Sequence, residues 1–216
     1  MLKSMRKHAR YFYVLFVLVI LSFIFWGVGG VDNDTSTAPV ATIGEDEKIT
    51  LDEYWRTYER VLDLYREIYK EKLDPEKMKL KEQVLESLLE DRVLYLAARD
   101  AGIAVSDAEL QSAITSNPAF MRDGFFNRQI YLRSLELNRM TPAQYEGAKR
   151  REMMVEKMKN LVRQSVDLSP AEIEKAGKDE ALRNILLDSK RQAALDSFVQ
   201  GLKTRLNVKV NYELIS

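Results

Sequence analysis

Residues that commonly carry out chemistry in proteins are scarce in this 216-residue chain. It has no cysteine and one histidine, His8, which lies among the basic residues of the N-terminus. Disulfides, cysteine nucleophiles and histidine-dependent sites in the body are therefore excluded. Carboxylates are frequent, but on helices rich in lysine and arginine they are usually solvated surface charges. We predict that the chain is not an enzyme and has neither a metal site nor another cofactor.

The charges are balanced overall but not along the chain. Of the 33 basic residues, four lie in residues 1–31, which contain no acidic residue. The remaining 185 residues have 29 basic and 33 acidic side chains, a formal net charge of −4. A protein that neutralises phosphates needs an excess of cations instead. The composition therefore argues against a nucleic-acid partner.

An apolar segment near the N-terminus predicts a membrane anchor. Residues 11–31 are 21 uncharged residues, which span about 31 Å as a helix and can cross a bilayer. Basic residues precede this segment and acidic ones follow it, so residues 1–10 should be a cytoplasmic tail. A cleaved signal peptide is the alternative, although its apolar core would be shorter. The anchor residues singled out are Tyr11, Phe16, Leu21 and Trp26.

The body is predicted to be mainly α-helical, with a small antiparallel sheet that joins its two ends. Residues 32–39 form a polar linker, and residues 40–43 and 47–50 form a hairpin around Gly44. Apolar and polar residues alternate from Val208 to Leu214, which indicates a half-buried strand. An isolated hairpin is marginal in water, so this terminal strand should pair with it.

Helix starts are marked by capping-box spacing and by prolines. The capping boxes are Thr50 with Glu53, Ser106 with Glu109, Thr141 with Gln144, and Ser169 with Glu172. Pro142 and Pro170 suit first-turn positions, and Asp74-Pro75 repeats that pattern. We expect one helical domain over residues 40–216, in which a terminal helix and strand, 179–215, pack back on the rest.

Aromatic residues and methionines are the remaining candidates for function. Most of them belong to a core on ordinary expectation, but some could line an open groove. Unbranched methionines and amphipathic tyrosines adapt to varied partners. Seven candidate groove residues follow: Trp55, Tyr58, Phe120, Met121, Phe125, Met140 and Met153.

Residues 83–114 and 117–152 resemble the N-terminal chaperone region of SurA-type periplasmic proteins. The first match lies in Val84-Leu85, Leu88-Leu89, Gly102-Ile103, Val105-Ser106-Asp107 and Glu109-Leu110. The second lies in Pro118, Phe120, Asp123-Gly124, Phe126-Asn127, Tyr131, Met140-Thr141 and Tyr145. With one N-terminal membrane helix, the chain is similar to the PpiD-type members, which are anchored in the inner membrane.

The resemblance implies a SurA-N-like helical chaperone domain with its body in the periplasm. In that family, parvulin-type prolyl isomerase domains follow the segment that corresponds to residues 169–176. Here residues 177–187 alone separate that segment from the terminal helix, so we expect the isomerase domain and its activity to be absent.

Two functional hypotheses follow from these patterns. The first is a membrane-anchored holdase that binds unfolded or nascent envelope polypeptides, including outer-membrane proteins, in an apolar groove. The alternative is a non-enzymatic scaffold that docks one folded envelope or translocon partner. In both, the lipid bilayer contacts the N-terminal helix, the translocon is a candidate partner, and the oligomeric state stays open.

Overall fold

The computed structural model describes residues 38–69, 74–177 and 179–215 of the chain. The predicted cytoplasmic tail (1–10), the predicted membrane anchor (11–31) and most of the predicted linker lie outside these residues. Among the helices in the described ranges, none is both long enough and apolar enough to cross a membrane.

Helices dominate the described body, as the sequence predicted. Two short 3-10 helices, Pro118–Phe120 and Tyr212–Leu214, accompany seven α-helices in the described ranges. The α-helices are α1 (Leu51–Tyr69), α2 (Leu80–Asp100), α3 (Asp107–Thr115), α4 (Arg128–Leu137), α5 (Pro142–Gln164), α6 (Pro170–Ala176) and α7 (Glu180–Arg205).

In the described ranges, five short strands form two antiparallel sheets. The strands are β1 (Pro39–Ile43), β2 (Glu47–Thr50), β3 (Met121–Arg122), β4 (Phe125–Phe126) and β5 (Lys209–Val210). In the larger sheet β1 lies between β2 and β5, and the smaller sheet is the hairpin β3–β4. The turn between β1 and β2 uses Gly44 at a φ of +65°, and its N–H donates to the carbonyl of Leu206 over 2.7 Å. The expected pairing of the two ends of the body is confirmed.

The terminal strand is much shorter than the alternating pattern predicted. Only Lys209 and Val210 pair with β1, and the N–H of Asn211 then donates to the carbonyl of Val40 over 2.8 Å. The Asn211 side chain next accepts a hydrogen bond from the N–H of Glu213, which starts a 3-10 helix. An asparagine side chain that caps its own backbone competes with the sheet, and the alternation does not reveal this.

The capping predictions are confirmed, whereas the helix start at Asp74-Pro75 is wrong. Reciprocal boxes begin α3, α5 and α6, and the Thr50 side chain accepts from the N–H of Glu53 at the start of α1. Asp74 instead caps an isolated turn, accepting from the N–H of Lys77 over 3.1 Å. Lys79 then adopts a φ of +49°, so α2 begins only at Leu80. A left-handed residue interrupts a right-handed helix.

Most buried apolar side chains belong to one core, which we call the core of the main lobe. It contains 20 buried residues from β1, β2, α1, α2, the second half of α5, α7 and the C-terminal Ile215. Helix α2 is central, because it packs against α1, α5 and α7. Its Leu85, Leu89 and Leu94 are almost fully buried.

A second, smaller core lies in residues 105–153, which we call the small lobe. It consists of α3, the first 3-10 helix, the β3–β4 hairpin, α4 and the first half of α5. Its six buried residues are Val105, Leu110, Ile114, Phe120, Tyr131 and Leu135. Helix α5 passes from this core into that of the main lobe, where it contributes Val155 and Met158.

Candidate functional site

The structure divides the seven candidate groove residues between the two lobes. Trp55 and Tyr58 lie on α1, where both pack against the core of the main lobe. The other five lie in the small lobe. The small lobe therefore holds the larger group of candidates.

Trp55 and Tyr58 belong to an aromatic cluster around the buried Tyr54. The ring centroid of Trp55 lies 5.0 Å from that of Tyr54 and 5.3 Å from that of Tyr58. The Tyr54 hydroxyl donates to the carbonyl of Lys81 over 3.2 Å, and burial, with smaller contributions from Tyr58 and Glu82, raises its pKa to about 12. The Lys81 ammonium lies 5.9 Å from the Trp55 ring centroid. These contacts hold α1 on α2, and both candidate side chains are half-buried.

Local caps place the elements of the small lobe. Ser106 and Glu109 form a capping box at α3, and Thr141 and Gln144 form another at α5. Between them, the Asn127 side chain accepts hydrogen bonds from two N–H groups at the start of α4, and its own N–H donates to the carbonyl of Phe120 over 2.8 Å. Asn127 therefore fixes α4 against the preceding 3-10 helix.

Four aromatic rings form the centre of the small lobe. The centroid of the Tyr131 ring lies 5.0 Å from Phe120, 5.8 Å from Tyr145 and 6.0 Å from Phe126. Edge-to-face geometry prevails, which is the favourable arrangement of such rings. The Phe120 side chain is only 5% exposed. Phe120 is therefore a residue of the small-lobe core.

The β3–β4 hairpin directs two adjacent phenylalanines to different environments. Its turn, Asp123-Gly124, has positive φ at both residues, as tight hairpin turns require. Met121 pairs with Phe126, and Arg122 pairs with Phe125. Because side chains alternate along a strand, Phe126 packs on the core whereas Phe125 is 78% exposed. Of the large apolar side chains in the described ranges, Phe125 is the most exposed.

The three candidate methionines lie at the margin of this core. Met140 and Met153 are half-buried and pack against it, and Met121 is half-buried in β3. A flexible methionine can repack at low cost when a neighbouring contact changes. The margin of the small lobe is therefore more adaptable than its aromatic centre.

A groove with a cavity of about 410 Å³ opens between α3, the hairpin, α4 and α5. Leu110, Ile114, Phe126 and Tyr131 supply its apolar wall. The groove residues predicted from the sequence do not include Leu110, Ile114 or Tyr131. Their helical spacing was visible, but the spacing does not tell which side of a buried face stays open.

Charged residues surround the groove without giving it a net sign. Asp107, Arg128, Glu146 and Arg150 line it. The Arg150 guanidinium binds the Asp107 carboxylate at 2.7 Å and also donates to the carbonyl of Val105. Two positive and two negative groups favour an uncharged occupant over a strongly charged one.

Beside the groove, α3 is joined to α5 through Glu109. The Lys157 ammonium lies 2.6 Å from its carboxylate, and the N–H of Ser106 donates to it over 2.8 Å. The hydrogen bond from Lys157, followed by those from Ser106, lowers the pKa of Glu109 to about 2. The pair is exposed, so it orients α3 more than it stabilises the fold.

The groove has the properties of a binding surface. In the described part of the chain, no three histidine, cysteine, aspartate or glutamate residues come together as metal ligands would. The lining of the groove instead combines apolar side chains with balanced charges, which makes it a candidate surface for an apolar partner.

Comparison with known proteins gives this geometry a context. Residues 1–159 match the SurA-like N-terminal domain family, a range that includes the whole small lobe. The periplasmic chaperone PpiD of Escherichia coli (strain K12) is 31% identical over 157 residues, which cover 69% of this chain and 25% of that protein. PpiD of Haemophilus ducreyi is 27% identical over 197 residues, which cover 89% of this chain and 31% of that protein. The chain thus spans between a quarter and a third of the length of these relatives.

Proposed function

Because this chain belongs to the SurA-like N-terminal domain family, we propose that it is a periplasmic chaperone that holds non-native polypeptides. Its clients are unfolded or nascent envelope proteins, including those bound for the outer membrane. The relatives, which are named periplasmic chaperones, support this function. They are longer than this chain, so the proposal concerns only the holding activity of its helical domain.

One observation carries the proposal: the small lobe combines an open apolar groove with an exposed aromatic side chain. The groove has a cavity of about 410 Å³, and Phe125 is 78% exposed on the hairpin that also supplies Phe126 to the groove wall. A single exposed apolar residue needs no explanation. An exposed ring on the same hairpin as a groove-lining ring gives a client two apolar contacts on one element.

Binding is reversible burial of apolar client side chains, without nucleotide. The groove is short, and the proposed contacts bury much less area than a stable protein complex does. Affinity for one segment is therefore low and dissociation fast, which suits a chaperone that must release its client. Met121, Met140 and Met153, at the edge of the lobe, adapt to different side chains.

A membrane anchor over residues 11–31 is part of the proposal. It would hold the chaperone where polypeptides leave the translocon and raise its local concentration there. Since the chain has no cysteine, single cysteines report its topology. We expect a membrane-impermeant maleimide to label Thr37→Cys but not Ser4→Cys in spheroplasts. Labelling of both positions, or of position 4 alone, would contradict the proposed orientation.

The chaperone function is tested with the full chain in lipid nanodiscs. A urea-unfolded outer-membrane β-barrel protein is diluted into buffer, and its aggregation is followed by light scattering. We expect the chain to suppress aggregation and Phe125→Ser to need several-fold more protein for the same effect. Ile185→Ser is the matched control, because Ile185 is 64% exposed on α7. A wild-type chain without effect on scattering would refute the function.

We further propose that this chain has no prolyl isomerase activity. Helix α6 ends at Ala176 and α7 begins at Glu180, so a short connection stands where the family resemblance places an isomerase domain. The test is the proline-limited refolding of reduced, carboxymethylated ribonuclease T1. Catalysis by the purified chain would disprove this part of the proposal.

A scaffold for one folded partner is the second candidate. Exposed apolar side chains on α7, Leu182 and Ile185, favour it because they lie outside the small lobe. Crosslinking from a photoreactive residue at position 185 and at position 125 separates the two functions. One stoichiometric partner crosslinked at 185 favours the scaffold, whereas many clients crosslinked at 125 favour the holdase.

A further inference from the structure

The hydroxyl of Tyr131 has no hydrogen-bond partner among the residues that the structure describes. Tyr131 lines the groove and is 7% exposed, and its oxygen is covered and unpaired among the described residues. Buried hydroxyls are usually paired, and an unpaired one lowers stability because it has lost its water. The Tyr131 hydroxyl is therefore a hydrogen-bond donor that the described residues leave unused behind the wall of the groove.

We propose that the Tyr131 hydroxyl donates a hydrogen bond to a main-chain carbonyl of the client segment that occupies this groove. The occupant is an extended stretch of polypeptide with apolar, uncharged side chains. This inference rests on the proposed chaperone function and names its substrate class and one residue that recognises it.

The surroundings of the hydroxyl favour a neutral acceptor. Glu146 lines the same groove, and after burial its charge is the next cause that raises the pKa of Tyr131. A client carboxylate would be repelled by Glu146, whereas a carbonyl would not. Asp107 and Arg150 already neutralise each other, so the groove does not select for a charged client.

A main-chain acceptor also explains how one polar group can serve many clients. Every residue of an extended chain carries a carbonyl, and one left unpaired on entering an apolar groove would oppose binding. A hydrogen bond from the Tyr131 hydroxyl to this carbonyl removes the cost, whatever the sequence of the client. For a client to reach the covered hydroxyl, a side chain of the groove wall must move. Phe126 is suited to this movement, because it lies on a two-residue strand and its ring centroid is 6.0 Å from that of Tyr131.

The experiment compares two tyrosines of the same aromatic cluster. Binding of a fluorescein-labelled, acetylated and amidated peptide, in which Leu and Phe alternate with Ser, is measured by anisotropy with the full chain in nanodiscs. We expect Tyr131→Phe to weaken binding about three- to tenfold, the range for one hydrogen bond. Tyr145→Phe is the control. The ring centroid of Tyr145 lies 5.8 Å from that of Tyr131, but Tyr145 does not line the groove, so this variant removes a hydroxyl of the same cluster from outside the groove.

Stability measured on the same variants separates recognition from a structural role. Because the hydroxyl is unpaired in the free protein, Tyr131→Phe should leave the midpoint of urea unfolding unchanged or raised. Weaker binding together with a lowered midpoint would overturn the inference, since the hydroxyl would then have a partner within the fold.

The binding outcomes also distinguish this inference from the function on which it rests. If the wild-type chain suppresses aggregation and binds the peptide but Tyr131→Phe binds equally well, only the inference fails. If the wild-type chain neither suppresses aggregation nor binds the peptide, both fail. Weaker binding of Tyr131→Phe with wild-type binding of Tyr145→Phe supports the inference.

Discussion

The main lobe and the small lobe are stabilised in different ways. Twenty buried residues from elements far apart in sequence form the core of the main lobe, whereas six form that of the small lobe. The polar contacts differ less. Arg92 joins α2 to Glu47 and Glu53, 45 and 39 residues away. The small lobe combines capping boxes, whose partners are three residues apart, with the pair of Arg150 and Asp107, which are 43 residues apart.

Because of this difference, we expect the two lobes to differ in local stability. Long-range burial makes the main lobe cooperative, because each of its elements needs the others. Local caps allow the small lobe to keep its helices while its few core contacts rearrange. A region that must accept varied apolar partners is expected to have the lower local stability.

The largest expected effect concerns the two cores themselves. Leu94→Ala should destabilise the protein by about 4 kcal/mol, because Leu94 is fully buried at the centre of the main lobe. Leu135→Ala, in the small lobe, should cost about 2–3 kcal/mol, since a smaller core collapses around the cavity more readily. Urea unfolding monitored by circular dichroism measures both changes.

Hydrogen exchange of the same two variants tests whether the lobes open separately. We expect Leu135→Ala to accelerate exchange only in the small lobe, and Leu94→Ala to accelerate it throughout the described body. Uniform acceleration by Leu135→Ala would mean that the chain opens as one unit, and the distinction between the lobes would then be lost.

A smaller effect is expected for the ion pairs of Arg92. Its guanidinium binds Glu47 at 2.8 Å and Glu53 at 2.7 Å and is 27% exposed. Burial alone lowers the pKa of Arg92, but Glu53 and Glu47 raise it above its usual value, so the charged form is favoured. Arg92→Met should cost about 1–2 kcal/mol, between the values for surface and buried pairs.

The matched control for Arg92 is an exposed pair of the small lobe. Arg133 binds Glu136 at 2.7 Å, but its side chain is 66% exposed. Arg133→Met should change the free energy of unfolding by less than about 0.5 kcal/mol. Equal losses in the two variants would show that partial burial does not strengthen the ion pairs of Arg92.

Acid should weaken the Glu109–Lys157 ion pair that joins α3 to α5. The pKa of Glu109 is about 2 in the folded protein, against an ordinary value of 4.5. A lowered folded-state pKa stabilises the fold above pH 4.5, and this contribution is lost as the pH falls from about 4.5 to about 2. In Lys157→Met the carboxyl should titrate closer to 4.5, because its main hydrogen-bond donor is gone.

The chain supplies an internal control for that titration. Glu172 has the same arrangement, a capping serine and a lysine partner, Lys190, and its pKa is also about 2. Carboxyl carbon NMR can follow both groups in one sample. Lys157→Met should move the titration of Glu109 and leave that of Glu172 in place, and a shift of both would indicate a general change of structure.

The local part of the fold could be predicted from the sequence. Capping serines, threonines and asparagines act on N–H groups two or three residues away, so a single sequence contains both partners. The strand after Val208 and the helix start at Asp74 were mispredicted for a related reason. In the first case the Asn211 side chain caps the backbone that follows it, and in the second Lys79 adopts a positive φ; apolar patterns report neither.

The candidate site was only partly predictable, because exposure depends on distant partners. Aromatic residues and methionines pointed to the small lobe. The sequence could not separate Phe120, which α4 and α5 cover, from Phe125, which nothing in the described chain covers. Nor could it show that the Tyr131 hydroxyl is unpaired, because Tyr131 also occupies an ordinary buried position of α4.

The smallest effect on stability is expected for Phe125, the side chain on which the proposed function depends most. Phe125→Ser should change the free energy of unfolding by no more than about 0.5 kcal/mol, because its ring is already 78% in solvent. Phe126→Ser, one residue later, should cost about 2 kcal/mol or more, because its half-buried ring packs beside Tyr131. Urea unfolding of both variants makes the comparison on a single hairpin. A loss in Phe125→Ser as large as that in Phe126→Ser would place Phe125 in the core of the small lobe. That lobe would then lack the uncovered ring on which the proposed chaperone function depends.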